Sequence, residues 1–233
     1  MFSMNNALTV QNVMHKVYAW MCAGLLVTAA SAYGLLASPT LFSIIFSSKW
    51  YFYGIAALQI GLVIYISAYI NEIRYSTAAF AFMLYSFLLG ITLSPIFVIY
   101  TSSSIALTFA CTAGMFGTMA LYGYFTNTDL SRMGNILLMA LLGMIIASFA
   151  NWYFQSSTLE YALAFLGVLI FTALTAYDVQ KIKQLIHHVE YEGDHAAYRE
   201  NVSKVALIGA LALYLDFINL FLSLLQLMGR KRD

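Results

Sequence analysis

The sequence predicts an all-α polytopic membrane protein with seven transmembrane helices. Three observations lead there. Hydrophobic residues make up 62% of the 233-residue chain and charged residues only 9%, against roughly 25% charged in soluble domains. The apolar residues fall into seven runs, most of them near the roughly 20 residues a helix needs to cross the bilayer core. Aromatic belts mark span ends, as at Trp50-Tyr51-Phe52-Tyr53 and Trp152-Tyr153-Phe154.

The spans are predicted at Val17–Ala37, Trp50–Ile70, Thr77–Tyr100, Ile105–Phe125, Ile136–Phe154, Tyr161–Val179 and Val205–Met228. They leave no room for a soluble domain, so residues 1–233 read as a single transmembrane domain. The first run is not followed by a small-residue cleavage pattern and reads as a retained span. Pro39 falls in a loop, whereas Pro95 lies inside the third span and should kink it. Residues 180–204 read as the one substantial loop, with four of the eleven Lys+Arg and four of the ten acids. Cys22 and Cys111 lie in apolar runs and read as buried small residues, not as a disulfide or metal framework.

Loop charge sets orientation. Seven spans place Lys16, Arg74, Arg132, Lys181, Lys183, Arg199 and Lys204 on the N-terminal side, seven in all. Lys49, Arg230, Lys231 and Arg232, four residues, fall on the other. The N-terminus and the long loop are therefore expected in the cytoplasm. The tail Arg230-Lys231-Arg232 runs against that rule and would fit a re-entrant seventh segment, although seven full spans is the preferred reading. The net charge of +1 says nothing for or against nucleic acid, and no basic run or basic-aromatic cluster is long enough to suggest such a partner, so none is expected. The expected partner at this point is membrane lipid, and no permanently bound cofactor is expected.

Two carboxylates stand inside apolar spans. A charge at the bilayer centre costs at least about 2.5–3.5 kcal/mol, so such residues usually face a partner or a hydrated cavity. Asp178 lies one turn before Lys181 and also reads as an interfacial acid beside a snorkelling lysine. Asp216 is about 18 Å of helix beyond Lys204, near mid-membrane. Asp216, Asn219, Ser223 and Gln226 are spaced by three, four and three residues and share one helix face, which Gly209 and Ala212 extend. Polar glue between helices explains Asn219 and Ser223. A hydrated path explains the carboxylate better.

Weaker signals are Gln59, Thr92 and Ser94, which suit interhelical contacts better than a cavity. The cluster His187, His188, Glu190, Glu192, Asp194 and His195 has no metal-ligand spacing and reads as a solvated loop. There is no phosphate-binding glycine loop, metal-ligand helix motif or nucleophile elbow.

The stretch Leu213-Tyr-Leu-Asp216-Phe-Ile-Asn219-Leu-Phe closely resembles the seventh-span signature of the Bax inhibitor-1 family. Thr175-Ala-Tyr-Asp178-Val-Gln-Lys-Ile182 is similar to the end of that family's sixth span, and Gly90-Ile-Thr-Leu-Ser-Pro95-Ile to its third. The match covers nearly the whole chain, and the short termini point to a bacterial member in the inner (plasma) membrane. The resemblance implies a seventh helix surrounded by the other six. It also implies a pH-sensitive, calcium-permeable leak channel whose cytoplasmic side is closed by an aspartate pair, here Asp178 and Asp216, which are also its expected calcium contacts. Asn219, Ser223 and Gln226 become the pore-lining candidates. The family's second-span arginine has no match here: Glu72 stands at that position, with Arg74 two residues on. Pairing also requires the sixth helix to run past Lys181, or a water vestibule to deepen the cytoplasmic side. The alternatives are a regulatory partner of a membrane protease or channel, and an intramembrane aspartyl protease. The protease also needs glycines beside its second aspartate, where Leu215 and Phe217 stand.

Overall fold

The computed structural model describes residues 2–187 and 195–232, with side chains from Val10 to Ile186 and from Tyr198 to Arg232. Within these residues the chain is helical, and its one β-type pairing is an isolated bridge. In order, the helices are α1 Phe2–Leu36, α2 Pro39–Ser47, α3 Lys49–Tyr69, α4 Tyr75–Leu93, α5 Ile96–Ile99, α6 Ser102–Phe125, α7 Ser131–Phe154, α8 Ser157–His187 and α9 His195–Met228. Seven stretches are long and apolar enough to cross a membrane. Most overrun the predicted apolar limits by several residues, because a helix that leaves the hydrocarbon keeps its backbone bonds in the interface. Large apolar side chains stand open on the outside of these helices, Met139 at 74% exposure and Phe149 at 70%, as expected when lipid is the solvent.

Local chemistry sets the breaks. Pro39 opens α2 at its first turn, where a missing N–H is no loss. A nine-residue helix thus replaces the expected loop. Ser48 caps α3 by accepting from the Trp50 N–H. Pro95 cannot donate to the helix ladder, so the third span divides into α4 and α5 as predicted. Asp129 Oδ1 accepts from the Ser131 N–H at the start of α7, and those Ser131 hydrogen bonds hold the Asp129 carboxyl below its usual range. Gln155 ends α7 in the left-handed region, φ 51°. Asn151 steadies that turn by accepting from the Ser156 N–H.

The expected loop over 180–204 is mostly helix. α8 continues to His187 and α9 already begins at His195. Lys181, Lys183, Arg199 and Lys204 are good helix formers, and a charge count cannot separate a loop from a helix end that projects out of the membrane. The histidine-acid cluster from His187 to His195 lies outside the described side chains.

The chain divides into two compact units, one of residues up to Val98 with Leu185–Tyr214, the other of Ile99–Gln184 with Leu215 onward. In the first, α1 and α4 pack tightly. A Cβ on Gly90 would overlap Ser31 and the Thr28 carbonyl, and one on Gly24 would press on Phe82. Close backbone approach through small residues is the usual membrane helix contact. The Thr28 hydroxyl serves as a hub, donating toward the Gly24 and Ser86 carbonyls and meeting the Tyr214 hydroxyl. Tyr214 is fully buried, with Phe82 and Tyr85 edge-on to its ring. Gln59 donates to Thr92 and ties α3 to α4, while Ser94 bonds back to Ile91. These three are interhelical and local contacts, as their chemistry suggested.

In the second unit, Gly123 of α6 lies flush on the backbone of Ala176, Gly134 of α7 on the Tyr177 ring, and Gly167 of α8 on Ser223. Phe109 and Phe116 of α6 meet Phe217 of α9 edge-on. α9 is unbroken to Met228, and the tail beyond it pairs with the turn between α5 and α6. Thr101 N–H donates to the Arg230 carbonyl, Arg232 N–H to Ile99, and Arg230 N–H to Ser104 Oγ. The tail thus sits at the start of α6, and the 34 helical residues of α9 reach about 51 Å at 1.5 Å each, the length that seven full spans require. Single cysteines at Ser3 and Lys231, in a chain lacking Cys22 and Cys111, are expected to react with impermeant reagent from opposite sides of the membrane. Labelling from one side would contradict seven full spans.

Candidate functional site: a buried aspartate pair

The site belongs to the second unit and is built mainly by α8. Two consecutive residues seat this helix. Ala176 is pressed on Gly123, and Tyr177 lies against Gly134. Asp178 follows directly. Gln180 then clips the turn before α7: its amide donates to the Thr128 carbonyl and its oxygen accepts from the Leu130 N–H, both at 2.8 Å. Lys183 donates to the Tyr124 carbonyl and lies over that ring. The helix past Asp178 is therefore anchored on both sides, and it runs beyond Lys181, which is the continuation that pairing requires.

Asp216 is 5% exposed and is held by its neighbour Phe217, which is wedged by Phe109 and Phe116. The carboxyl groups of Asp178 and Asp216 come within hydrogen-bonding reach of each other. Asp216 Oδ2 is buried and meets no donor in the protein. Both facts express one piece of chemistry: two carboxylates only accept, so the contact becomes a hydrogen bond when one of them carries a proton. Like charges that close also resist double ionisation. The cation acting on Asp178 is Lys181, one turn along the same helix. Arg74 belongs to the first unit.

The other predicted site residues divide. The Asn219 amide donates to the Leu215 carbonyl, and Ser223 packs on Gly167; both are half-buried. Gln226 donates to Glu160 at 2.7 Å at the start of α8. There Glu160 and Tyr161 add to burial in pushing the Tyr100 phenol up. Gln226 thus marks one end of the second unit, away from the aspartates by about 15 Å of helix.

Two residues of the same unit that sequence reasoning missed share its buried, unpartnered polar chemistry. The hydroxyls of Thr108 on α6 and Thr172 on α8 are buried with no hydrogen-bond partner. With Asp216 Oδ2 they are the three buried side-chain polar atoms left without one among the described residues, and all belong to the second unit. Buried polar groups are normally satisfied by protein or water. Threonine is common in membrane helices, where it bonds back to its own turn as Thr112 and Thr175 do, so sequence offered no signal. Gln180 was equally silent, lying among polar residues at a span end.

A family model described as "Inhibitor of apoptosis-promoting Bax1" matches residues 10–233. The chain belongs to the Bax inhibitor-1 family. Bacterial relatives extend nearly end to end. "Inner membrane protein YbhL" of Escherichia coli is 44% identical, covering 96% of this chain and 93% of its own. An uncharacterized protein of Borreliella burgdorferi is 46% identical over 94% and 91%. An uncharacterized membrane protein of Streptococcus pyogenes is 33% identical over 92% and 91%. The chain is an integral membrane protein.

The clip made by Gln180 can be tested alone. Gln180→Leu leaves the Leu130 N–H and Thr128 carbonyl without side-chain partners, and should lower stability by at least about 2 kcal/mol. Thermal unfolding of the purified protein reads this against Gln184→Leu at the exposed position one turn on, which should be near neutral.

Proposed function

We propose that this Bax inhibitor-1 protein is a calcium-permeable leak pathway of the inner (plasma) membrane, with Asp178 and Asp216 as its pH-sensing gate. The N-terminus and the gate face the cytoplasm in this reading, as loop charge favours. One observation carries it: two carboxyl groups meet inside the membrane, one of them buried with an oxygen that has no donor. A pair that shares a proton ties α8 to α9 within their unit. A pair that loses it repels and loosens the tie. The buried hydroxyls of Thr108 and Thr172 support a hydrated continuation of the path, since water is the partner such groups normally find.

Calcium takes six to eight oxygen ligands, and two carboxylates supply only part of that number. Among the described residues no three His, Cys, Asp or Glu gather into a metal site. The pair therefore suits a passing ion better than a resident one. Liposomes containing only this protein and a trapped calcium dye test the reading. Flux above that of empty liposomes is expected. Flux equal to empty liposomes at every pH would leave a non-transporting regulatory role in its place.

A further inference from the structure

We infer that the cleft between the starts of α4 and α9 binds a phosphate group, supplied by the headgroup of an anionic phospholipid. This cleft belongs to the first unit and is lined by Arg74, Tyr75, Ser76, Arg199, Glu200 and Ser203, with a volume of about 460 Å³. The two helix starts are held at one level: the Tyr75 N–H donates to Glu200 Oε1, and Lys204 Nζ reaches the Asn71 carbonyl at 3.4 Å. Both are span starts, so the cleft opens where lipid headgroups lie.

Its chemistry is that of an anion site. Arg74 and Arg199 are exposed, and neither guanidinium has an acidic partner among the described residues. The acid present, Glu200, is already engaged, bonded to the Tyr75 N–H and paired with Lys204 at 3.5 Å. It also occupies the free N–H at the start of α4, so the arginines, not the helix terminus, must carry the binding. Two guanidiniums present planar donor forks that fit phosphate oxygens, and Ser76 and Ser203 line the cleft beside them. Basic clefts between helices on the cytoplasmic side commonly hold acidic lipid headgroups.

Native mass spectrometry of the full-length protein tests this, with graded phosphatidylglycerol or phosphatidylcholine and with inorganic phosphate as competitor. Each arginine should contribute about fivefold, so the preference for phosphatidylglycerol should fall about 25-fold in the Arg74→Gln, Arg199→Gln double variant. Glu200→Gln should raise it, the direction a merely loosened fold would not give. Retained lipid that millimolar phosphate does not displace supports the headgroup as the source. Displacement by phosphate, with loss in the double variant, supports the same site with free phosphate as its ligand. Equal retention of the two lipids by the wild type, or an unchanged preference in the double variant, overturns the proposal.

Discussion

Replacing either Asp178 or Asp216 with asparagine is expected to flatten the pH dependence of calcium leak. In the proposed gate, acid leaves a proton between the two carboxyl groups, and the resulting hydrogen bond holds α8 to α9 within their unit. As pH rises through the titration of the pair, the proton leaves, both groups are charged, and the tie becomes a repulsion. Leak should therefore be lowest in acid and rise with pH. A hydrogen bond to a charged group contributes about 1.5–3 kcal/mol, so the closed-to-open ratio should change about ten- to a hundredfold across the titration. An amide does not titrate in this range. Each single variant should therefore lose most of the dependence, any remainder following the one carboxyl left, and the double variant should show one leak rate at all pH values. Lys181 modulates the effect, since its charge acts on Asp178 from the same helix; Lys181→Gln should shift the pH midpoint without removing the dependence. Dye-loaded liposomes at a series of pH values make the measurement. An Asp178→Asn or Asp216→Asn protein that keeps the wild-type profile would return the pair to polar glue between helices.

The second large effect is expected at Gly123. A Cβ there would overlap the Ala176 carbonyl, with the Ala176 carbon atoms at 2.9 Å. The obstacle is backbone, so no side chain can turn aside and one helix must shift. Overpacking of a tight contact costs about 1–3 kcal/mol, and Gly123→Ala should reach the upper end. The consequence extends to the proposed gate, because Ala176 lies two residues before Asp178 on the same helix. Gly123→Ala should lower the unfolding temperature and raise leak in acid, where the wild type is tightest. Gly114→Ala on the same helix is the control: open space faces that position, and alanine is the better helix former, so stability should hold or rise. Equal behaviour of the two variants would mean that the contact between α6 and α8 does not set the position of Asp178.

The spans were legible because apolar runs of membrane length have one physical meaning in a chain this poor in charge. Their ends were less so. Lys181 and Lys183 look like the residues of a loop, yet α8 carries them on to His187. The hydrophobic pattern reports where lipid ends, not where the helix ends. Pro39 was misplaced for a related reason, since proline forbids a helix interior but favours a helix start. Asp178 and Asp216 were conspicuous for the cost of a charge in lipid. Their meeting was expected only from the family resemblance; the residues alone could not give it, because it depends on packing such as Gly123 on Ala176 and Gly134 on Tyr177. A glycine in a membrane helix gives no sign of which neighbour it admits: Gly114 faces open space and Gly123 a carbonyl. Thr108 and Thr172 were hidden for the opposite reason. Nothing but the absence of a partner distinguishes them from Thr112 and Thr175, and a partner is a property of the fold.

The proposed sharing of a proton between Asp178 and Asp216 is open to direct measurement by infrared titration of the purified protein in lipid. A protonated carboxyl in an apolar site has a C=O stretch resolved from ionised carboxylates and from amides. The expected result is such a band in acid that is lost as pH rises, in step with the rise in calcium leak, and is absent or displaced in both Asp178→Asn and Asp216→Asn. A wild-type spectrum without the band, or a band that titrates while leak stays constant, would contradict the gate.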